Sequence, residues 1–407
     1  MDFNTKASTL MHIDLNSCFA TIEQQANRQL RGRPIAVAAY NSPGGCILAS
    51  SIEAKRLGVK TGMRVQEGKL LCPDLLILEP DPAKYRCVHL QFREIINCYT
   101  PKFSPKSIDE FALNLEGCPA FKLGMHEVAK RIKCDIKNAI GDYITVSIGI
   151  APNRFLAKTA SALHKPDGLD EIHAYNFKEI YAGLKLQDLC GIAANSAARL
   201  AESGIYTVMD FYNAKASDLI RAFHSIGGYY WYLRLRGWEI DAVDFARKSF
   251  GNSYALPKPF WKLEDLLPIL QKLTEKMCFR LHTSGFKARG VGVAVRYKTG
   301  NFWHKTRLYA DFIYKPGDFF TSAFKLLGLA PYKEPVHTLT VFCFGLIKTD
   351  TFQPDLFGVE EKNYKLADAV DAINAKWGNF VLGPASILLS KDLVKDRIAF
   401  GGVRELT

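Results

Sequence analysis

No stretch of this sequence is apolar for long enough to cross a membrane; the longest run, His337–Ile347, is about half the length a span needs. The first residues hold no basic segment followed by a long apolar core, so no secretory leader is expected. The ten cysteines are scattered, with no C-x-x-C pair and no Cys/His cluster at zinc spacing. That pattern argues against a disulfide framework and a structural zinc site, and for reduced thiols in a cytoplasm. Repeats and low-complexity tracts are lacking as well.

What is present is an ordinary globular composition, 48% hydrophobic and 23% charged, over 407 residues. That length suits about three or four small domains. The net charge of +12 is unevenly placed: Lys248–Gly345 holds 15 Lys and Arg against 6 Asp and Glu. A surplus this concentrated suggests a partner with a dense negative field, nucleic acid first and acidic membrane second. A surface kept soluble by charge is the competing reading.

Short β-rich runs alternate with helical ones from Met1 to about Tyr181. Thr9–Leu15, Pro34–Tyr40 and Gly45–Ser50 read as strands, the last two joined through the turn signal NSPGG. Asp81–Tyr99 reads as a helix with an Asp cap and Pro at its first position. Val128, Ile132 and Ile136 fall on one helical face of His126–Ile136. Ser107–Leu115 and Tyr143–Ala151 read as strands, the second Val/Ile-rich and buried on both faces. Lys185–Val243 is helical, with two short helices expected around a glycine in Asp188–Ile205. Arg247–Gly345 runs strand, helix, strand, strand, helix, strand, a βαββαβ order. A polar linker, a helix over Tyr364–Trp377 and a weakly structured end complete the chain.

Inside the strand KSIDEFALNL stand two adjacent carboxylates, Asp109 and Glu110. Successive strand side chains point to opposite faces, so both cannot face one core. A third carboxylate, Asp14, ends the first strand in MHIDLN. If the two strands are neighbours, the three acids converge and the Leu15 carbonyl adds an oxygen. Hard oxygen ligands favour Mg²⁺, and three carboxylates suit two ions about 3.5–4 Å apart that clamp a phosphoryl transfer. The alternative is acids that cap turns or pair with the many lysines.

The motifs around these acids resemble those of the Y-family (translesion) DNA polymerases, of the bacterial polymerase IV and polymerase V catalytic subunit type. MHIDLNSCFATIEQQ resembles the family's first palm strand and helix, and ASSIEAKRLGVKTGM its fingers element. SIDEFALNL is similar to its Ser-Ile-Asp-Glu motif, and VSIGIAPNRFLAKTASALHKPDGL to the stretch that follows. The resemblance runs in family order and continues weakly to the C-terminus. It implies an α+β right-hand polymerase with a ferredoxin-like palm (1–33 and 81–183) and small fingers (34–80). A helical thumb with a helix-hairpin-helix (184–246), a βαββαβ little finger (247–346) and a tail (347–407) would follow.

By this resemblance Asp14, Asp109, Glu110 and the Leu15 carbonyl hold two Mg²⁺ ions. Ser17, Cys18 and Phe19 open a helix whose amides suit phosphate, and Phe19 is the steric gate against a 2′-hydroxyl. Lys158 and Arg154 reach the incoming triphosphate. Two positions depart from the family pattern. Ile52 and Lys55 stand where a Tyr and an Arg usually hold the triphosphate, and lysine lacks the bidentate fork. Cys46, Leu48 and Gly62 fall at the roof over the templating base, with Leu48 bulkier than usual. Ala193 replaces a usual glycine of the helix-hairpin-helix.

Arg289, Arg296, Lys298 and Arg307 are expected on the DNA-holding domain, where phosphate contacts give affinity without sequence preference. QPDLF resembles the peptide with which bacterial polymerases dock on a sliding clamp, with Gln353, Leu356 and Phe357 as anchors. The tail after it is closer to polymerase V catalytic subunits than to the shorter polymerase IV. Primer-template DNA, dNTPs and the clamp are the implied partners, an accessory subunit is compatible with them, and no membrane is involved. The implied place is the cytoplasm, on the nucleoid. A silent relative serving as a DNA-binding, clamp-docking adaptor is the rival, kept alive by Ile52 and Lys55. A nucleotidyl cyclase would have no use for the thumb, the basic domain or the clamp-like peptide.

Overall fold

The apolar alternation at the start of the chain forms β1 (Leu10–Leu15), and its side chains are buried except for Asp14, which is half-buried. A computed structural model describes residues 1–243, 246–349, 359–378, 381–390 and 393–394. These form two compact units, one within residues 1–243 and one within 246–394.

In the first unit β1 leads into α1 (Cys18–Ala26). A small three-stranded sheet follows, made of β2 (Ile35–Ala38), β3 (Ile47–Ser50) and β4 (Leu76–Leu78). Between β3 and β4 lie two short helices, α2 (Ile52–Arg56) and α3 (Val65–Leu71). The chain then forms α4 (Pro82–Asn97), β5 (Phe103–Pro105), β6 (Glu110–Asn114) and α5 (Met125–Ala139). It continues through β7 (Val146–Ala151), α6 (Arg154–Leu163) and β8 (Leu169–Glu171). The five-stranded sheet has the order β5-β6-β1-β7-β8, with β1 antiparallel to both neighbours.

Local chemistry explains these elements. Asp81 caps α4 by accepting from the Lys84 amide at 3.1 Å, and Pro82 occupies its first position. Val128, Ile132 and Ile136 bury one face of α5 as the period demands. All six residues of β7 are buried. Gly149 in that strand is required, because a Cβ there would stand 2.0 Å from the Ala157 carbonyl oxygen. Its absence lets α6 lie directly on the sheet.

The strand expected over Ser107–Leu115 is shorter than its sequence suggests. Residues 107–109 bend, and the ladder begins at Glu110. The two expected helices around the glycine are also corrected. The first is only a single 3-10 turn, Leu186–Asp188, because Gly191 takes φ +94° and breaks the path before Ala193. Five short helices pack in this region: α7 (Phe177–Gly183), α8 (Ala194–Glu202), α9 (Val208–Asn213), α10 (Ala216–Phe223) and α11 (Gly227–Arg234). Phe211, Leu200, Leu219 and Trp231 centre their core. Ala193 itself is extended, φ −92° and ψ 178°, a conformation with no need of glycine.

The second unit is a four-stranded antiparallel sheet covered on one side by helices. Its elements are β9 (Ser249–Phe260), α12 (Leu263–Thr283), β10 (Phe286–Tyr297), β11 (Phe302–Ile313), α13 (Pro316–Leu327) and β12 (Val336–Lys348). The strand order is β11-β10-β12-β9. Val291, Val293 and Val295 bury the helix side, with Leu339, Val341 and Cys343 beside them. On the other side the Phe342 ring lies over Gly292, where a Cβ would meet it at 2.2 Å. A last helix, α14 (Val359–Trp377), joins this unit through a Tyr314 hydroxyl that donates to Asp368 at 2.6 Å.

Candidate active site

Asp14 and Glu110 are directly opposed across the β1–β6 ladder, so their side chains leave the same face. His12, two residues before Asp14, shares that face, and its Nε2 is 3.7 Å from Glu110. His12, Asp14 and Glu110 offer ligand atoms within 4.8 Å of one another. Asp109 enters from the bend rather than the ladder. Its backbone carbonyl accepts from the Leu15 amide at 2.9 Å, and its carboxylate accepts from the Ser107 hydroxyl at 2.5 Å. The Leu15 side chain is in the core and its amide is used by Asp109, which leaves its carbonyl as the group to offer.

Two ammonium groups already sit on these acids. Lys165 is 2.7 Å from Asp14, and Lys158 is 2.6 Å from Glu110. The acids therefore do pair with lysines, and the place they enclose is built for positive charge. Burial pushes Asp14 up, with the Lys165 charge working against it. Burial also pushes Asp109 up, to about 6, although the Ser107 hydrogen bond opposes the rise. For Glu110 burial is outweighed by the Lys158 hydrogen bond and charge, which hold it below its usual range. Burial drives His12 down to about 3, so its ring is neutral, and its Nε2 is buried with no hydrogen-bond partner. Hard carboxylate oxygens, stand-in cations and an orphaned nitrogen together fit a divalent cation.

The remaining expected residues are distributed around this cluster. Ser17 takes a left-handed conformation, φ 52° and ψ 36°, and starts α1, whose first residues are Cys18 and Phe19. Phe19 is fully buried, its ring stacked on Tyr85 at 4.5 Å. Lys55 is exposed on α2; desolvation of its ammonium lowers its pKa, the Lys165 charge adds to the fall, and Asp14 and Asp109 oppose it. Lys158 and Arg154 do not share a target. Lys158 faces Glu110, whereas the Arg154 guanidinium lies 3.5 Å from Glu239. The expected DNA contacts are likewise divided. Arg296 lies opposite Phe302, on the uncovered face of the sheet, while Arg307 lies opposite Val291, on the helix side. Arg289 and Lys298 are exposed at the bulge and the end of β10. Gln353, Leu356 and Phe357 lie outside the described residues.

Lys165 and His12 are the residues that sequence reasoning missed. His12 was accessible from the two-residue period of a strand. Lys165 stands in HKPDGL, but beyond the end of α6, where helical spacing gives no guide.

The impB/mucB/samB family model matches residues 13–162, and that of the impB/mucB/samB family C-terminal domain matches residues 247–356. The chain is 30% identical over 397 residues to DNA polymerase IV of Pelotomaculum thermopropionicum, spanning 94% of this chain and 96% of that one. It is 31% identical over 396 residues to DNA polymerase IV of Bacillus anthracis, spanning 95% of each. Among solved structures, a Y-family DNA polymerase chimera of Dbh and Dpo4 superposes with a TM-score of 0.74 at 24% identity, over 83% of this chain and 99% of that one. An insertion ternary complex of Dbh DNA polymerase gives 0.58 at 23% identity over the same shares. Relatives bearing the polymerase IV name thus match nearly the whole chain, so its length does not set it apart from them.

Proposed function

Because the chain belongs to the Y family of translesion DNA polymerases, the impB/mucB/samB family, we propose that it extends primer 3′ ends on a template, with Asp14, Asp109 and Glu110 holding two Mg²⁺ ions. The observation that carries this reading is the opposition of Asp14 and Glu110 with an ammonium on each. When bound, the ions neutralise the triphosphate and align the attacking and leaving oxygens. The chain's own groups do the rest. Lys158 and Lys165, released from the acids, take triphosphate oxygens, and Lys55 adds a third charge. The amides that open α1 suit a phosphate. Phe19, backed by Tyr85, walls off the sugar 2′ position.

Basic residues of the second unit hold the duplex backbone without reading sequence. Gln353, Leu356 and Phe357 dock on a sliding clamp, a partner of an apolar groove. The adaptor reading is not favoured, since all three acids are present and gathered. Primer extension with Mg²⁺ and each dNTP tests the proposal. Template-directed extension by the wild type, lost in Asp109→Ala, supports it; normal extension by that variant sinks the metal assignment. The same assay with added clamp, on a Leu356→Ala, Phe357→Ala double variant, tests the docking peptide.

A further inference from the structure

Glu53 has no part in the chemistry above, yet two separate stretches of chain converge on its carboxylate. The Tyr143 hydroxyl donates to one oxygen at 2.9 Å, and the Gln24 side-chain amide donates to the other at 3.1 Å. Gln24 is buried on α1, and the same amide group reaches the carbonyls of Leu30 and Arg33 at 3.2 Å each. Tyr143 is fixed in turn. Its hydroxyl accepts from the Gly32 amide at 3.0 Å, and its own amide donates to Gln25 at 2.9 Å. Arg31 lies over its ring at 5.0 Å and pairs with Asp142 at 3.1 Å. Burial of Glu53 is outweighed by hydrogen bonds from its own backbone amide, Gln24, Ser51 and Tyr143, which hold it below the usual carboxylate range.

Glu53 belongs to α2, a helix of five residues. So short a helix does not hold its own geometry and depends on outside ties. Its other tie is Ser51, whose hydroxyl caps the Ala54 amide at 3.3 Å and donates to the Arg33 carbonyl at 3.3 Å. Two residues after Glu53 stands Lys55, within electrostatic reach of Asp14, Asp109 and Lys165. At 3.6 residues per turn, side chains two apart point about 200° from one another. Glu53 thus faces α1 and Tyr143, and Lys55 faces the acids. A lysine has no rigid fork to find its own register on a phosphate. Its placement therefore depends on the backbone that carries it.

We propose that Glu53 and Tyr143 are positioning residues, which pin α2 against α1 and so present Lys55 to the nucleotide triphosphate. The inference rests on the reading of Lys55 as a triphosphate contact. Single-nucleotide extension on a primed template separates the two ideas. Glu53→Ala is expected to raise the apparent KM for dNTP about tenfold with kcat little changed, and Tyr143→Phe about threefold. Glu53→Gln keeps an oxygen for the Tyr143 hydroxyl and restores part of the loss. In a Lys55→Ala background the Glu53→Ala and Tyr143→Phe changes have no further effect on KM, because the group they position is gone. Multiplying effects in that background, or a wild-type KM in both single variants, overturns the positioning role. An unchanged KM in Lys55→Ala itself overturns the reading of Lys55 and this inference with it. Should Glu53→Ala fail to fold, Tyr143→Phe, which removes one oxygen, decides the matter alone.

Discussion

The Lys165 ammonium lies 2.7 Å from the Asp14 carboxylate, in the place where the proposed chemistry puts a cation. On the proposed assignment of Asp14 as a metal ligand, lysine and metal compete for one acid. A Lys165→Met protein is expected to bind Mn²⁺, as a probe ion, several-fold more tightly without nucleotide, and to show a raised KM for dNTP. Coupling between two ligands is reciprocal, so the same change weakens the mutual enhancement of metal and nucleotide binding. Mn²⁺ titration followed by electron paramagnetic resonance measures it. Equal affinities in the two proteins would show that the lysine yields its place at no cost.

Metal affinity should also follow pH. Asp109 is raised to about 6 in the metal-free protein, by burial first. Below that value the native state holds a proton that a metal must displace. Apparent Mg²⁺ affinity is then expected to fall by roughly tenfold per pH unit below about 6 and to level off above about 7. Glu110 is held low by Lys158 and adds no step in that window, while Asp14, raised by burial, moves in the same direction as Asp109. An Asp109→Asn protein should lose the step along with much of its affinity. A flat profile for the wild type between pH 5 and 7 would contradict the assignment.

Phe19 acts as a wall only if it cannot move. It stacks on Tyr85, whose hydroxyl donates to Glu23 at 2.8 Å, and Lys84 holds the same carboxylate at 2.7 Å. Phe19→Ala is expected to raise ribonucleotide incorporation relative to deoxyribonucleotide by at least about tenfold. Removing a fully buried Phe also costs about 3–5 kcal/mol of stability. Phe19→Leu, which keeps most of the packing, should therefore fold better and discriminate at an intermediate level. Incorporation ratios at saturating nucleotide decide it: unchanged ratios with lowered stability would make Phe19 a core residue only.

The long periodic elements were legible in the sequence because one physical signal dominates each. The Asp81 cap, the Val128–Ile132–Ile136 face and the Val/Ile-rich β7 needed no distant partner to be read. The pairing of Asp14 with the SIDE acids was legible only through motif resemblance, since strand neighbours are not encoded locally. The faces of Arg296 and Arg307 depend on the register of β10 with β11, which pleating alone cannot supply. Glu53 and Tyr143 are 90 residues apart and meet through a turn with no periodicity at all. Lys165 lies outside the helix that carries Lys158, so no spacing rule joins them.

His12 ties the site to the stability of its unit. The ring is 3% exposed, its Nε2 has no hydrogen-bond partner, and burial lowers its pKa from 6.5 to about 3. Glu110 favours the charged ring, while Lys158, Lys165 and Lys106 disfavour it. The native pKa is thus depressed below the unfolded one. Between pH 6.5 and about 3 the unfolded chain binds a proton that the native ring refuses, so this group's contribution to stability is lost as pH falls through that window. At pH 5 the loss is roughly 2 kcal/mol, set by the distance from the unfolded pKa. Asp109 works in the opposite direction, since its raised pKa lets the native state take up a proton near pH 6, so the wild-type slope mixes the two. A His12→Gln protein keeps a polar side chain of similar reach and cannot titrate. Urea unfolding of the metal-free wild type and variant at pH 7.5 and pH 5 separates the terms, because Asp109 is common to both. The variant is expected to retain roughly 2 kcal/mol more of its neutral-pH stability at pH 5 than the wild type does. Identical losses in the two proteins would mean that the imidazole takes a proton in the native site, and that the floor of the acid cluster carries a charge.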